Sequence, residues 1–213
     1  MISSTRVLPD GYIQTHEINL AKNKGLGILL NFVGIIIFFL SFVLLGAFVR
    51  WARPELSDIT FTIKVDLSTI LQLLGLLLLV AFILVVHELI HGYFFWVFTR
   101  GKPVYALRLA YAYAAAPDWF IPVRHYWIIG LAPLVLIDAI GLLLIFLAPA
   151  SWILTIILLV ALNTGGSIGD MFITAWLLRL SPASLAKDTG DRVCFFEPVA
   201  AVSKSVSPEK SCE

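Results

Sequence analysis

Charge is scarce in this sequence. Asp, Glu, Lys and Arg supply 14% of its 213 residues, where an average soluble domain carries roughly a quarter. The net charge is +1 and no basic stripe is present, so nucleic acid is not an expected partner. Cysteine is scarcer still. Cys194 and Cys212 lack metal-ligand spacing and are too few for a disulfide framework, so they read as two reduced thiols. A signal-peptide pattern is missing as well. The first 25 residues are polar and mixed, with Pro9, Asp10, Gly11 and His16, and no short apolar stretch leads to a cleavage site.

Apolar residues fill the space that charge leaves. They make up 60% of the chain, which excludes disorder, and they come in long runs, which argues against a soluble core. Four runs stand out, at about 26–49, 70–98, 126–147 and 152–178. Each approaches or exceeds the ~20 residues that a helix needs to cross a bilayer. The fourth is interrupted by NTGGSIGD, residues 163–170. The expected fold is therefore an all-α polytopic membrane protein with four transmembrane helices. It divides into an N-terminal segment 1–25, a four-helix domain 26–178 and a tail 179–213.

The positive charges set an expected orientation. With four spans, the N-terminal segment, the loop between spans two and three, and the tail share one side. That side holds twelve Lys and Arg, against three on the other. The excess belongs in the cytoplasm, so both termini are expected there, in a plasma (inner) membrane. Trp51, Trp96, Trp119, Trp127 and Trp152 lie near the proposed span ends, as an interfacial belt requires.

Short alternating stretches lie outside the spans. YIQTHEINL reads as a strand or an interfacial segment, and ITFTIKVDL alternates in the outer loop. ALRLAYAYAAAPDWFIPVRHY suggests a β-hairpin around a Pro-Asp turn at the cytoplasmic side, and DRVCFFEP one further strand in the tail.

Against this background HELIHG, residues 87–92, is anomalous, because it sets three ionisable groups inside an apolar run. Each costs at least ~2.5 kcal/mol on insertion scales, so an intramembrane ionisable group signals function by default. His87 and His91 stand at i and i+4 and share a helix face. That spacing lets two imidazoles hold one metal ion, and Glu88 lies beside the first as a general base. A catalytic zinc has three protein ligands and an open position for water, whose pKa it lowers to ~7.

Two intramembrane carboxylates could supply the third ligand. Asp170 and His91 each lie nine residues before an arginine, Arg179 and Arg100, or ~13 Å from the helix end. Asp138 matches the greater depth of His87. Asp170 is favoured because Gly165, Gly166 and Gly169 break the apolar helix that bears it and permit close backbone approach or local unwinding, and polar backbone at that depth must line protein or a cavity. Asp138 reads as a hydrogen-bonded acid, although the choice stays open at this stage.

These residues resemble the site-2-protease-like intramembrane zinc metalloproteases and, more closely, the DUF3267 family of zincin peptidases. The resemblance runs from LPDGY to CFFEP through HELIHG, the hairpin region ending in GLAP, and the polar insertion ending in GD. It implies His87, His91 and Asp170 as zinc ligands and Glu88 as the catalytic base. The expected substrate is a membrane-embedded or membrane-adjacent protein. Asn163, seven residues before Asp170, is a candidate substrate- or oxyanion-binding group, or else an interhelical hydrogen bond. Site-2 proteases carry prolines and an Asp-Gly pair in that helix; here the prolines are absent and Met171 follows Asp170. The rival reading is a zinc-binding membrane protein, a sensor or transporter, without catalysis. Nothing in the sequence sets the oligomeric state.

Overall fold

The computed structural model of the protein describes residues 3–56, 66–107 and 112–202. Helices dominate it. α1 spans Lys24–Ala52, α2 Leu67–Thr99 and α3 Val123–Leu147. All three are long and apolar enough to cross a membrane. A fourth candidate is a pair, α4 (Ala150–Gly166) and α5 (Ile168–Leu177), bent by 43° at a short break. α1 and α2 expose large apolar side chains on many faces, among them Phe32, Phe39, Leu44, Leu74, Phe82 and Leu84. A helix that is apolar all round needs apolar surroundings, and a bilayer supplies them.

β-Structure is richer than the hairpin and single tail strand expected. β1 (Tyr12–Asn19), β4 (Ile121–Pro122), β5 (Leu185–Asp188) and β6 (Arg192–Pro198) form one antiparallel sheet in the order β1-β6-β5-β4. The chain ends thus pair with each other, Tyr12 opposite Pro198 and Asn19 opposite Arg192. β2 (Val104–Leu107) and β3 (Ala112–Ala115) form a separate hairpin. Its turn is not the Pro-Asp pair predicted above: Pro117 and Asp118 follow β3 and lead the chain into β4. Most of ITFTIKVDL falls outside the described residues.

The described residues form two compact units. One takes them from Met1–Leu30, Glu88–Pro133 and Gly169–Glu213. Its sheet is covered on both faces, and the two-residue period of a strand sorts the side chains. From β6, Val193 and Phe195 join the larger cluster with Phe95, Ile129 and Leu177, while Cys194 and Phe196 join Phe120 and Leu185. Cys194 is disulfide-bonded, which corrects the expectation of a reduced thiol. Cys212, the other cysteine of the sequence, lies outside the described residues.

The second unit takes its residues from Asn31–His87 and Leu134–Ile168. Its core is aliphatic and centred on Val49, Ile145, Ile153, Ile157 and Val160. Two glycines let α1 and α4 meet: a Cβ on Gly34 would lie 2.7 Å from the carbonyl oxygen of Gly165, and the reverse is also 2.7 Å. At the end of α3, Arg53 donates to the carbonyls of Ile145 (3.1 Å) and Ala148 (2.7 Å). These are helix-terminal oxygens with no acceptor role inside the helix, and a cation suits them.

Candidate metal centre

HELIHG lies within α2, and the helix puts His87 and His91 one turn apart on one face. His91 is buried. Its Nδ1 donates to the carbonyl oxygen of Ile129 in α3 at 2.9 Å. A carbonyl can only accept, so Nδ1 carries a proton, which leaves Nε2 as the atom available to a metal. Nε2 lies 3.4 Å from Oδ1 of Asp170. His87 is held through the same atom: its Nδ1 is 3.0 Å from Oδ1 of Asn163, which again directs Nε2 outward as the ligand atom. Metal-binding histidines commonly anchor their second nitrogen in this way.

Asp170 owes its place to the break between α4 and α5. Ser167 ends α4, with its backbone N–H and its hydroxyl both donating to the carbonyl of Asn163 at 2.9 and 2.8 Å. The chain restarts as α5 at Ile168, so Asp170 falls in the first turn of a new helix. Unpaired N–H groups and the positive end of the helix dipole favour a carboxylate there. The loosened helix expected from NTGGSIGD is thus a helix end followed by a helix start. Of the three glycines, only Gly165 meets neighbouring atoms; a Cβ on Gly166 or Gly169 would meet nothing within 4 Å.

His87, His91 and Asp170 each offer one ligand atom, and these atoms lie within 4.8 Å of one another. Two imidazole nitrogens and a carboxylate oxygen are the donor set of a three-ligand catalytic zinc, so the residues present fit that ion. Asp138 is not in this group. It accepts from Asn163 Nδ2 at 2.9 Å and from Thr164 Oγ1 at 2.8 Å, the hydrogen-bonded acid that the sequence suggested. Asn163 is buried, and both ends of its amide have protein partners on neighbouring helices, His87 and Asp138.

Glu88 is partly buried on the adjoining face of α2. Its negative charge, after burial, is the second cause that holds the Tyr105 phenol above its ordinary range. Tyr105 comes from β2, and its hydroxyl fills the space that a Cβ on Gly92 would need. The last letter of HELIHG is therefore a notch for a tyrosine beside the glutamate.

Sequence reasoning missed Tyr105, the Ile129 carbonyl, and a buried pair behind His91. In that pair Tyr126 donates to Asp188 Oδ2 at 2.5 Å, and the Gly190 N–H donates to Oδ1 at 2.7 Å. Burial, with the negative charge of Asp170, pushes the Asp188 carboxyl up to about 6, against the opposing effects of Tyr126, Gly190 and His91. A backbone carbonyl leaves no mark in a sequence. Asp188 and Tyr126 could have been noticed only as polar letters flanked by apolar ones.

No curated protein and no solved structure matches the chain. One family model does, over the segment that carries the second part of α2, the hairpin, α3, α4 and α5. Residues 80–185 match the model of the family described as DUF3267: Putative zincin peptidase.

Proposed function

We propose that the protein is an intramembrane zinc metallopeptidase that hydrolyses peptide bonds of membrane-embedded or membrane-adjacent proteins. The observation that carries this reading is the grouping of His87, His91 and Asp170 beside Glu88, on helices apolar enough to lie in a bilayer. The match of residues 80–185 to a zincin-peptidase family model supports it. Zinc bound by these three residues would polarise a scissile carbonyl and make water acidic enough to ionise near neutral pH.

The chain's own contribution is positional. His87 and His91 each use Nδ1 on a protein acceptor, which keeps Nε2 as the ligand atom. Glu88 takes the proton of the attacking water at its carboxylate and returns it to the departing amine. The lipid environment and the partly buried setting limit competing water. The twelve-to-three bias of Lys and Arg supports cytoplasmic termini and an inner-membrane location.

Glu88→Gln removes the base and keeps the ligands. Comparison of the membrane proteomes of cells carrying either form tests the reading. The expected result is full-length substrates that accumulate in the variant, with zinc content of the purified protein unchanged. A variant that binds zinc and leaves every membrane protein as in wild type overturns catalysis and favours a zinc sensor or transporter.

A further inference from the structure

We propose that Asp138 is a positioning residue that selects the tautomer of His87 through the amide of Asn163. The inference rests on the ligand set proposed above, because it concerns which nitrogen of His87 is left to bind metal.

The two histidines are anchored differently. The partner of His91 is the Ile129 carbonyl, which can only accept and admits one tautomer. The partner of His87 is an amide, which can present either oxygen or nitrogen. With oxygen toward the ring, Nδ1 carries the proton and Nε2 the lone pair. With the amide reversed, its NH2 faces Nδ1, the proton moves to Nε2, and the ligand atom is lost. His87 and Asn163 alone do not decide between these.

Asp138 decides. Its Oδ1 lies 2.9 Å from Asn163 Nδ2, and amide reversal would set oxygen against oxygen. Thr164 Oγ1 fixes the carboxyl from the other side, 2.8 Å from Oδ2, and is also 2.9 Å from the Val160 carbonyl. The Thr164 proton can go to either acceptor. If it goes to Val160, a protonated Oδ2 can donate back to Thr164. With Asp138 ionised, or neutral with its proton on Oδ2, Oδ1 remains an acceptor and the lock holds; only a proton on Oδ1 would release it. The three residues come from α3 and α4, one turn or less apart on α4, and all act on one nitrogen of α2. This gives Asp138 a use at its depth without making it a ligand.

Asp138→Asn is the discriminating variant. It keeps the shape, and its amide can offer oxygen or nitrogen, so the whole chain of hydrogen bonds can reverse. The first readout is the 15N NMR spectrum of histidine-labelled, metal-free protein in micelles, which distinguishes the two tautomers. Wild type should show His87 only with the proton on Nδ1, and Asp138→Asn should show both forms. The second readout is zinc affinity by chelator competition. It should fall about 2- to 10-fold in Asp138→Asn and about 10- to 100-fold in Asn163→Leu, the range for lost outer partners of a ligand. Thr164→Val, which leaves Oδ1 in place, should keep the single tautomer and serves as the folding control.

A single tautomer in Asp138→Asn with unchanged affinity overturns the proposal. So does an affinity loss beyond about 1000-fold in Asp138→Asn with Asp170→Asn unaffected, since Asp138 would then be the ligand. The tautomer measurement needs neither zinc nor cleavage. If tautomers mix in Asp138→Asn but no form binds zinc, the ligand set fails and the lock stands.

Discussion

At the scale of single residues, Gly92 ties the motif to the hairpin. Any Cβ there meets the hydroxyl and ring of Tyr105, which stands beside the Glu88 charge. Gly92→Ala is expected to displace Tyr105 and to lower stability by about 1–3 kcal/mol, as overpacking does. Tyr105→Ala opens the space, so the double variant should recover most of the loss. Thermal unfolding of the four proteins in detergent measures the cycle, and additive losses would mean that the two side chains do not compete. This close approach could not be read in the sequence, because it joins α2 to a strand beyond the end of that helix. His87, His91 and Glu88 could, since i and i+4 spacing is local and three ionisable groups in an apolar run have a cost that needs a reason. The choice of Asp170 over Asp138 was legible only in outline. Depth along a helix ranks the two carboxylates weakly, and what separates them is the partner each finds on neighbouring helices.

At the scale of elements, the three long apolar helices were legible almost to their ends, because a run of apolar residues sets length and surroundings together. The bend was legible as NTGGSIGD, and close backbone approach and local unwinding were both expected of its glycines. Which glycine does which was not legible, and their roles differ. Gly165 serves contact: a Cβ there would lie 2.7 Å from the Gly34 carbonyl and 2.9 Å from Phe38 Cβ, and backbone oxygen cannot rotate away. Gly165→Ala should therefore push α1 from α4 and cost about 1–3 kcal/mol. Gly166 and Gly169 meet nothing within 4 Å and have no positive φ. Alanine at either should be neutral or stabilise by up to about 1 kcal/mol, the usual gain over glycine in a helix. The measurement is the midpoint of thermal unfolding in micelles. A loss at Gly169 equal to that at Gly165 would return the glycines to a common role in flexibility.

At the scale of the whole molecule, the sequence showed strands but not their pairing. YIQTHEINL and DRVCFFEP alternate, yet nothing local says that the first strand of the chain lies beside the last. In the same sheet β5 pairs with β6 on one side and β4 on the other, and Asp188 at its end is buried. Asp188 is where the sheet and α3 meet in one hydrogen bond, through Tyr126. Its carboxyl titrates at about 6 in the folded protein against 3.8 ordinarily, with burial as the first cause. The folded state therefore binds more protons than the unfolded state between those values, and stability must fall as pH rises through them. The contribution is fully present below pH 3.8 and is lost as pH passes about 6. Over the whole interval it amounts to about 3 kcal/mol. Other carboxylates have their own slopes, so the quantity to compare is wild type against Asp188→Asn, both metal-free. The variant loses one of the two hydrogen bonds made by Tyr126 and Gly190, and its baseline should drop. The difference in stability between the two proteins should be largest near pH 4 and shrink toward pH 7. Urea or thermal unfolding at four or five pH values in that window reads it. A difference that stays constant with pH would mean that Asp188 ionises as an ordinary carboxylate and that the sheet leaves it in contact with water.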